Sequence, residues 1–303
     1  MNTLAIELII QIMSYMYPLE IFNIKPNIKY LNHHSNQNKI KKQCMDIVNL
    51  SAVCKYFNNI VRENGMKVIY FYEDIKINII NKYKSKYIIA PHDKQLNDNK
   101  FKQLTNLTYL ALNLGTKNIT DEGIKPLINL TYLRLWGNTN ITDDGIKPLT
   151  NLTHLILYEN KNITDEGIKP LTNFIHLELW GNTNITDDGI KPLTNLIRLE
   201  LWRNTNITDE GIKPLTNLTC LILKFNKNIT DEGIKSLTNL TCLNLCWNKN
   251  ITDEGIKPLT NLIVIYLWNR NKNITDEGIK PLTNLTHLDF HDNRNYNITG
   301  SNH

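Results

Sequence analysis

Residues 141–162 read ITDDGIKPLTNLTHLILYENKN, and these 22 residues decide the fold. Their opening phrase, Ile-Thr-Asp-(Asp/Glu)-Gly-Ile, occurs eight times, with its glycine at 123, 145, 167, 189, 211, 233, 255 and 278. The first six intervals are 22 residues, the seventh is 23, and a degenerate copy, Ile298-Thr299-Gly300, follows. A fixed period of this length marks a unit too small to bury its own apolar face, so it must stack on its neighbours. Within the unit Leu152, Leu155, Leu157, Asn160 and Ile163 lie at offsets 0, 3, 5, 8 and 11, and the same offsets recur from Leu130, Phe174, Leu196, Leu218 and Leu240. The alternation about Leu155 and Leu157 is that of a strand buried on one face, and its counterpart one unit later should lie parallel to it, about 4.8 Å away. Thr142 can cap a helical turn, Asp143 and Asp144 suit the positive end of that turn, and Pro148 removes a donor just beyond it. Asn138, Asn160, Asn182, Asn204, Asn226 and Asn248 form a column leaving the strands, where their amides can bond otherwise orphaned backbone groups. That role is structural, not catalytic.

The pattern LxxLxLxxNxxI, in register over about two thirds of the chain, resembles the leucine-rich repeat. The resemblance implies an α/β solenoid with about nine parallel strands on a concave face and short helical or 3-10 segments on the convex side. Those strands begin near Leu107, Leu130, Leu152, Phe174, Leu196, Leu218, Leu240, Leu262 and Leu285. Between the inward leucines each strand offers three outward positions, and the third of these holds Trp136, Tyr158, Trp180, Trp202 and Trp268, four of the five tryptophans. Large aromatics left on a sheet face mark a contact surface, since Trp and Tyr dominate binding hot spots and exposed apolar patches are otherwise avoided. The expected partner-binding set is therefore Tyr132, Arg134, Trp136, Tyr158, Glu178, Trp180, Arg198, Glu200, Trp202 and Trp268. Its two arginines and two glutamates supply charge selectivity.

Metal and nucleophile chemistry are not expected. Cys220 and Cys242 are lateral neighbours, but Cys246 lies about 13 Å along the strand from Cys242, too far for one tetrahedral site. His287 and His291 are likewise too widely spaced around Asp289, and His154 beside His176 reads as a copied residue. No paired acid and base, activated nucleophile or phosphate loop is apparent, so neither an enzyme nor a cofactor is expected. Asn-Leu-Thr and Asn-Ile-Thr sequons recur as accidents of the period.

With 41% hydrophobic and 21% charged residues over 303 positions, the composition is globular. No run approaches the roughly 20 apolar residues of a membrane span, and the apolar start, residues 4–16, carries Glu7 and no basic flank. The expectation is a protein of the cytoplasm, a host's cytoplasm or the nucleus, with its five cysteines reduced. The formal charge of +5 resides in the first hundred residues, where 14 Lys+Arg face 8 Asp+Glu. A modest surplus without a dense basic stripe is a solvated surface, so no nucleic acid is expected as a partner.

Two apolar segments precede the array. Leu4-Ala5-Ile6-Glu7-Leu8-Ile9 with Ile12-Met13, and Leu50-Ser51-Ala52-Val53-Cys54-Lys55-Tyr56-Phe57, resemble the opening helix and the Val-Cys-Lys-x-(Trp/Phe) half of an F-box. The order, F-box then repeats, is similar to that of F-box/leucine-rich-repeat proteins, and the Asn-, Ile-, Lys- and Tyr-rich composition is similar to those of large DNA viruses of amoebae. The resemblance implies an α-helical domain over 1–62 with an insertion near 18–45, a linker and cap over 63–103, and the solenoid over 104–303. It further implies that Leu8, Ile9, Ile12, Met13, Leu50, Val53, Cys54 and Phe57 bind a Skp-type adaptor joined to a cullin, while the repeats capture an unidentified protein for ubiquitination. The competing reading is a non-catalytic interaction scaffold with no ubiquitin link. The repeat phrases are also similar to internalin-type bacterial adhesion repeats, a version disfavoured by the expectation that no export signal is present.

Overall fold

The computed structural model describes residues 69–70, 87–90, 97–112, 118–137, 140–181, 184–267 and 273–289. The eight adaptor-binding positions assigned from the F-box resemblance, and Trp268, lie outside them. Among the described residues eleven parallel strands form one sheet in strict chain order. They are β1 (Ile69–Tyr70), β2 (Tyr87–Ala90), β3 (Tyr109–Leu112), β4 (Tyr132–Trp136), β5 (His154–Tyr158), β6 (His176–Trp180), β7 (Arg198–Trp202), β8 (Cys220–Ile222), β9 (Cys242–Asn244), β10 (Val264–Tyr266) and β11 (His287–Asp289). The nine strands expected from the repeat are β3 to β11. Two more extend the sheet into the segment read as linker and cap: Val68 to Tyr72 already has strand-like composition, and β2 pairs with β3 as Tyr87↔Tyr109, one full period apart.

Each unit returns from strand to strand through a four-residue helix such as Asp143–Ile146 or Asp165–Ile168, followed by i→i+3 turns, as at Leu149 N to Ile146 O and Leu152 N to Leu149 O. Thr142 and Thr164 cap these helices by accepting from Asp144 N and Glu166 N. The six apolar side chains of one unit, Leu152, Leu155, Leu157, Ile163, Ile168 and Leu171, are all buried in a single core running the length of the array. Phe174 replaces leucine at one such position and is buried as well. The expected asparagine column is present at Asn160, Asn204, Asn226 and Asn248: each carbonyl accepts from the backbone two and three residues on, as at Asn162 N and Ile163 N, while Asn226 and Asn248 donate to the carbonyl of the preceding asparagine.

A second ladder joins the helical side. The first aspartate of each helix reaches the next unit and accepts from both the backbone N–H and the hydroxyl of its capping threonine: Asp165 Oδ1 from Thr186 N at 2.8 Å, Asp165 Oδ2 from Thr186 Oγ1 at 2.6 Å. The arrangement repeats from Asp98–Thr120 to Asp253–Thr275. These aspartates therefore lock units together, beyond the helix-dipole role expected of them. The helix glycine makes room for this contact. A Cβ on Gly189 would lie 2.2 Å from Asp165 Oδ1 and 3.1 Å from its Cα.

Candidate functional site

On the face of the sheet away from the helices, parallel register brings the third outward residues of β4 to β7 side by side: Trp136↔Tyr158, Tyr158↔Trp180 and Trp180↔Trp202. The ring centroids follow at 4.9, 5.0 and 3.9 Å, the two indoles meeting edge to face. In β8 and β9 the strands shorten to three residues, and the corresponding positions are Lys224 and the buried Cys246. The file nonetheless continues one residue further along, through Phe225 and Trp247. Both adopt left-handed backbone (φ 59° and 62°) and stack, Trp202 to Phe225 at 6.4 Å and Phe225 to Trp247 at 5.1 Å. Such φ values are costly for bulky residues, so the backbone here is set by the turn into the asparagine column and the rings exploit it. Gly137 and Gly181 occupy the same place in other units.

Six rings thus form one continuous file, with cations at its flanks. Arg134 Cζ lies 5.7 Å over Trp136, Lys224 Nζ 4.3 Å over Trp202 and Arg203 Cζ 5.4 Å over Phe225. The Arg134 Nε and the indole nitrogens of Trp180 and Trp202 are buried without a hydrogen-bond partner. An unmet donor in a closed environment costs about 1–3 kcal/mol.

Beside the file, the rings of Tyr109, Tyr132, His154 and His176 follow one another across four strands, the first two pairs stacked and the two histidines edge to face, with centroids 4.1, 5.7 and 5.5 Å apart. Burial pushes the Tyr109 hydroxyl up to about 12 and raises Tyr132 as well, while burial and the neighbouring His176 push His154 below the ordinary histidine range. On β7, Arg198 turns to Glu200, both Nε (2.8 Å) and Nη2 contacting Oε1, and its Nη1 reaches Cys220 Sγ at 3.0 Å. Glu200 is only 8% exposed, and burial, then Glu178, raises its carboxyl above the ordinary value. Glu178 in turn sits 2.9 Å from His176 Nε2. The opposite side of the array has a different character: Glu166–Lys169, Glu210–Lys213 and Glu254–Lys257 pair at 2.5–2.7 Å on highly exposed helix ends. Exposed pairs of this kind are worth little and are satisfied by water, so the aromatic face is the one with recognition chemistry to offer.

A family model described as leucine-rich repeat matches residues 127–150, 149–172, 215–237 and 236–259. The array is a leucine-rich-repeat solenoid. Among solved structures, an internalin of Listeria monocytogenes is 28% identical with a TM-score of 0.53, covering 71% of this chain and 69% of its own. A leucine-rich-repeat protein of Leptospira interrogans is 26% identical with a TM-score of 0.55 over 74% of this chain, which spans only 59% of that protein. Yeast Rad7, solved with Elc1, aligns over 96% of this chain and 87% of its own at 17% identity and a TM-score of 0.53, a likeness of fold. No curated protein sequence matches significantly.

Within the solenoid, Tyr132, Arg134, Trp136, Tyr158, Glu178, Trp180, Arg198, Glu200 and Trp202 all fall on the face expected from the alternation. They are not equally available: Tyr132 and Glu200 are largely enclosed, the first packed among Tyr109, Ala111 and Ile156 and the second held by Arg198, whereas Trp136, Tyr158, Trp180 and Trp202 are half-buried. Phe225 and Trp247 were not in the expected partner-binding set, although a signal existed, since an aromatic appears one residue late in two of the units whose third position lacks one. The approach of His176, Glu178 and Glu200 was also missed, because it runs diagonally between columns that the sequence presents separately. Among the described residues no helix is long and apolar enough to cross a membrane.

Proposed function

We propose that the solenoid is the capture arm of a substrate receptor for a Skp/cullin/F-box-type ubiquitin ligase, holding its target on the sheet face. The observation that supports capture is the unbroken file of six aromatic rings from Trp136 to Trp247, flanked by Arg134, Lys224 and Arg203. The link to ubiquitin is supported by the F-box resemblance of Leu4 to Met13 and Leu50 to Phe57 ahead of the array. In this reading the chain contributes no reacting group. It raises the effective concentration of a target lysine near a ubiquitin-charged enzyme, so positioning is its whole contribution. The remaining reading, a protein-interaction scaffold without that link, shares the capture face and differs only in the first hundred residues.

Pull-down of a Skp-type protein by the intact chain separates the two. The receptor reading predicts binding that is lost with Leu8→Asp plus Val53→Asp. Absence of binding by the parent chain, with the fold intact by circular dichroism, leaves the scaffold.

A further inference from the structure

We propose that His176, Glu178 and Glu200 form a binding site for a divalent transition-metal ion of the zinc class. The inference does not rest on protein capture or on the ubiquitin link. Parallel register sets Glu178 beside Glu200, and His176 precedes Glu178 by two residues on the same face. One ligand atom from each, the imidazole nitrogen and a carboxylate oxygen from either glutamate, lies within 4.8 Å of the other two. A tetrahedral ion about 2.0–2.2 Å from each donor needs them roughly 3.3 Å apart, a contraction within the reach of two glutamate side chains.

Two features prepare the donors. The buried His176 Nε2 stands 2.9 Å from Glu178 Oε1, so the imidazole nitrogen and one carboxylate oxygen already converge. Arg198 contacts Glu200 through Oε1 alone, and thereby fixes the carboxylate as the outer hydrogen-bond partners of metal ligands do. The arginine also compensates only one of the two carboxylate charges, leaving the other for a cation. An imidazole nitrogen in the set favours zinc, nickel or copper over calcium, magnesium and manganese, which take oxygen donors. Three protein donors leave a fourth position open on the sheet face.

The test is calorimetric titration of Zn2+ into the intact chain after removal of metal by a chelator. One saturable equivalent is expected, unaffected by excess Mg2+, and weakened about tenfold or more by Glu178→Gln or His176→Gln. Co2+ provides a reading that needs no variant: the site predicts visible bands of nitrogen and oxygen ligation. Absence of a saturable equivalent, equal uptake by correctly folded variants, or a thiolate charge-transfer band pointing to Cys220 and Cys242 overturns the assignment.

Discussion

At the scale of single residues, the interlock between helix glycines and aspartates reverses an ordinary rule. Alanine is about 1 kcal/mol better than glycine inside a helix. At Gly189, however, the new methyl would displace Asp165 from its two bonds with Thr186, so Gly189→Ala is expected to destabilise by about 1–3 kcal/mol in denaturant titrations. A gain in stability would show that the ladder is dispensable. Asp165→Ala, which leaves the glycine alone and removes the acceptor, should cost about 1.5–3 kcal/mol by the same measurement. Glu200 gives a prediction in pH. Its carboxyl is raised by burial and by Glu178, so the folded chain holds that proton more tightly than the unfolded one. Stability from this group is present below its ordinary pKa and is lost as pH rises through the folded value. Glu200→Gln removes that loss. The difference in Tm should therefore move in favour of the variant as pH rises above the ordinary glutamate range, whereas a difference constant in pH contradicts the assignment.

At the scale of the element, strands and caps were legible because their causes are local. Alternation about Leu155 and Leu157 sets the buried face, and Thr142 and Thr164 announce the helices they cap. The shift of the aromatic file from Trp202 to Phe225 was harder to read, because it depends on where β8 ends and on a left-handed residue that the sequence marks with glycine only at Gly137 and Gly181. The contact of Glu200 with Glu178 and His176 depends on lateral register and rotamer, neither of which a one-dimensional pattern contains. The file itself is testable by spectroscopy. Trp180 and Trp202, with centroids 3.9 Å apart, should couple and give an aromatic couplet in circular dichroism that Trp202→Phe abolishes without unfolding the chain. A parent spectrum without that couplet would place the rings apart.

At the scale of the whole molecule, stability belongs to neighbour contacts, so it should fall toward an end of the array. Leu199 on β7 is fully buried between flanking strands, whereas Leu288 on β11 is only partly buried against the core. Leu199→Ala is expected to cost about 2–5 kcal/mol, and Leu288→Ala clearly less. Equal losses in denaturant titrations would argue for a more uniform core than stacked units provide. The period revealed the repeats, but β1 and β2 carry too little of the motif to be counted in the array, and only their pairing with β3 shows that the sheet begins earlier. What the array does follows from which face is aromatic. The most direct measurement of that claim compares affinity capture by the intact chain with capture by the Trp136→Ala, Trp180→Ala, Trp202→Ala triple variant, both verified as folded by circular dichroism. The account predicts that proteins held by the parent are released by the variant; retention of the same proteins at the same level would contradict it.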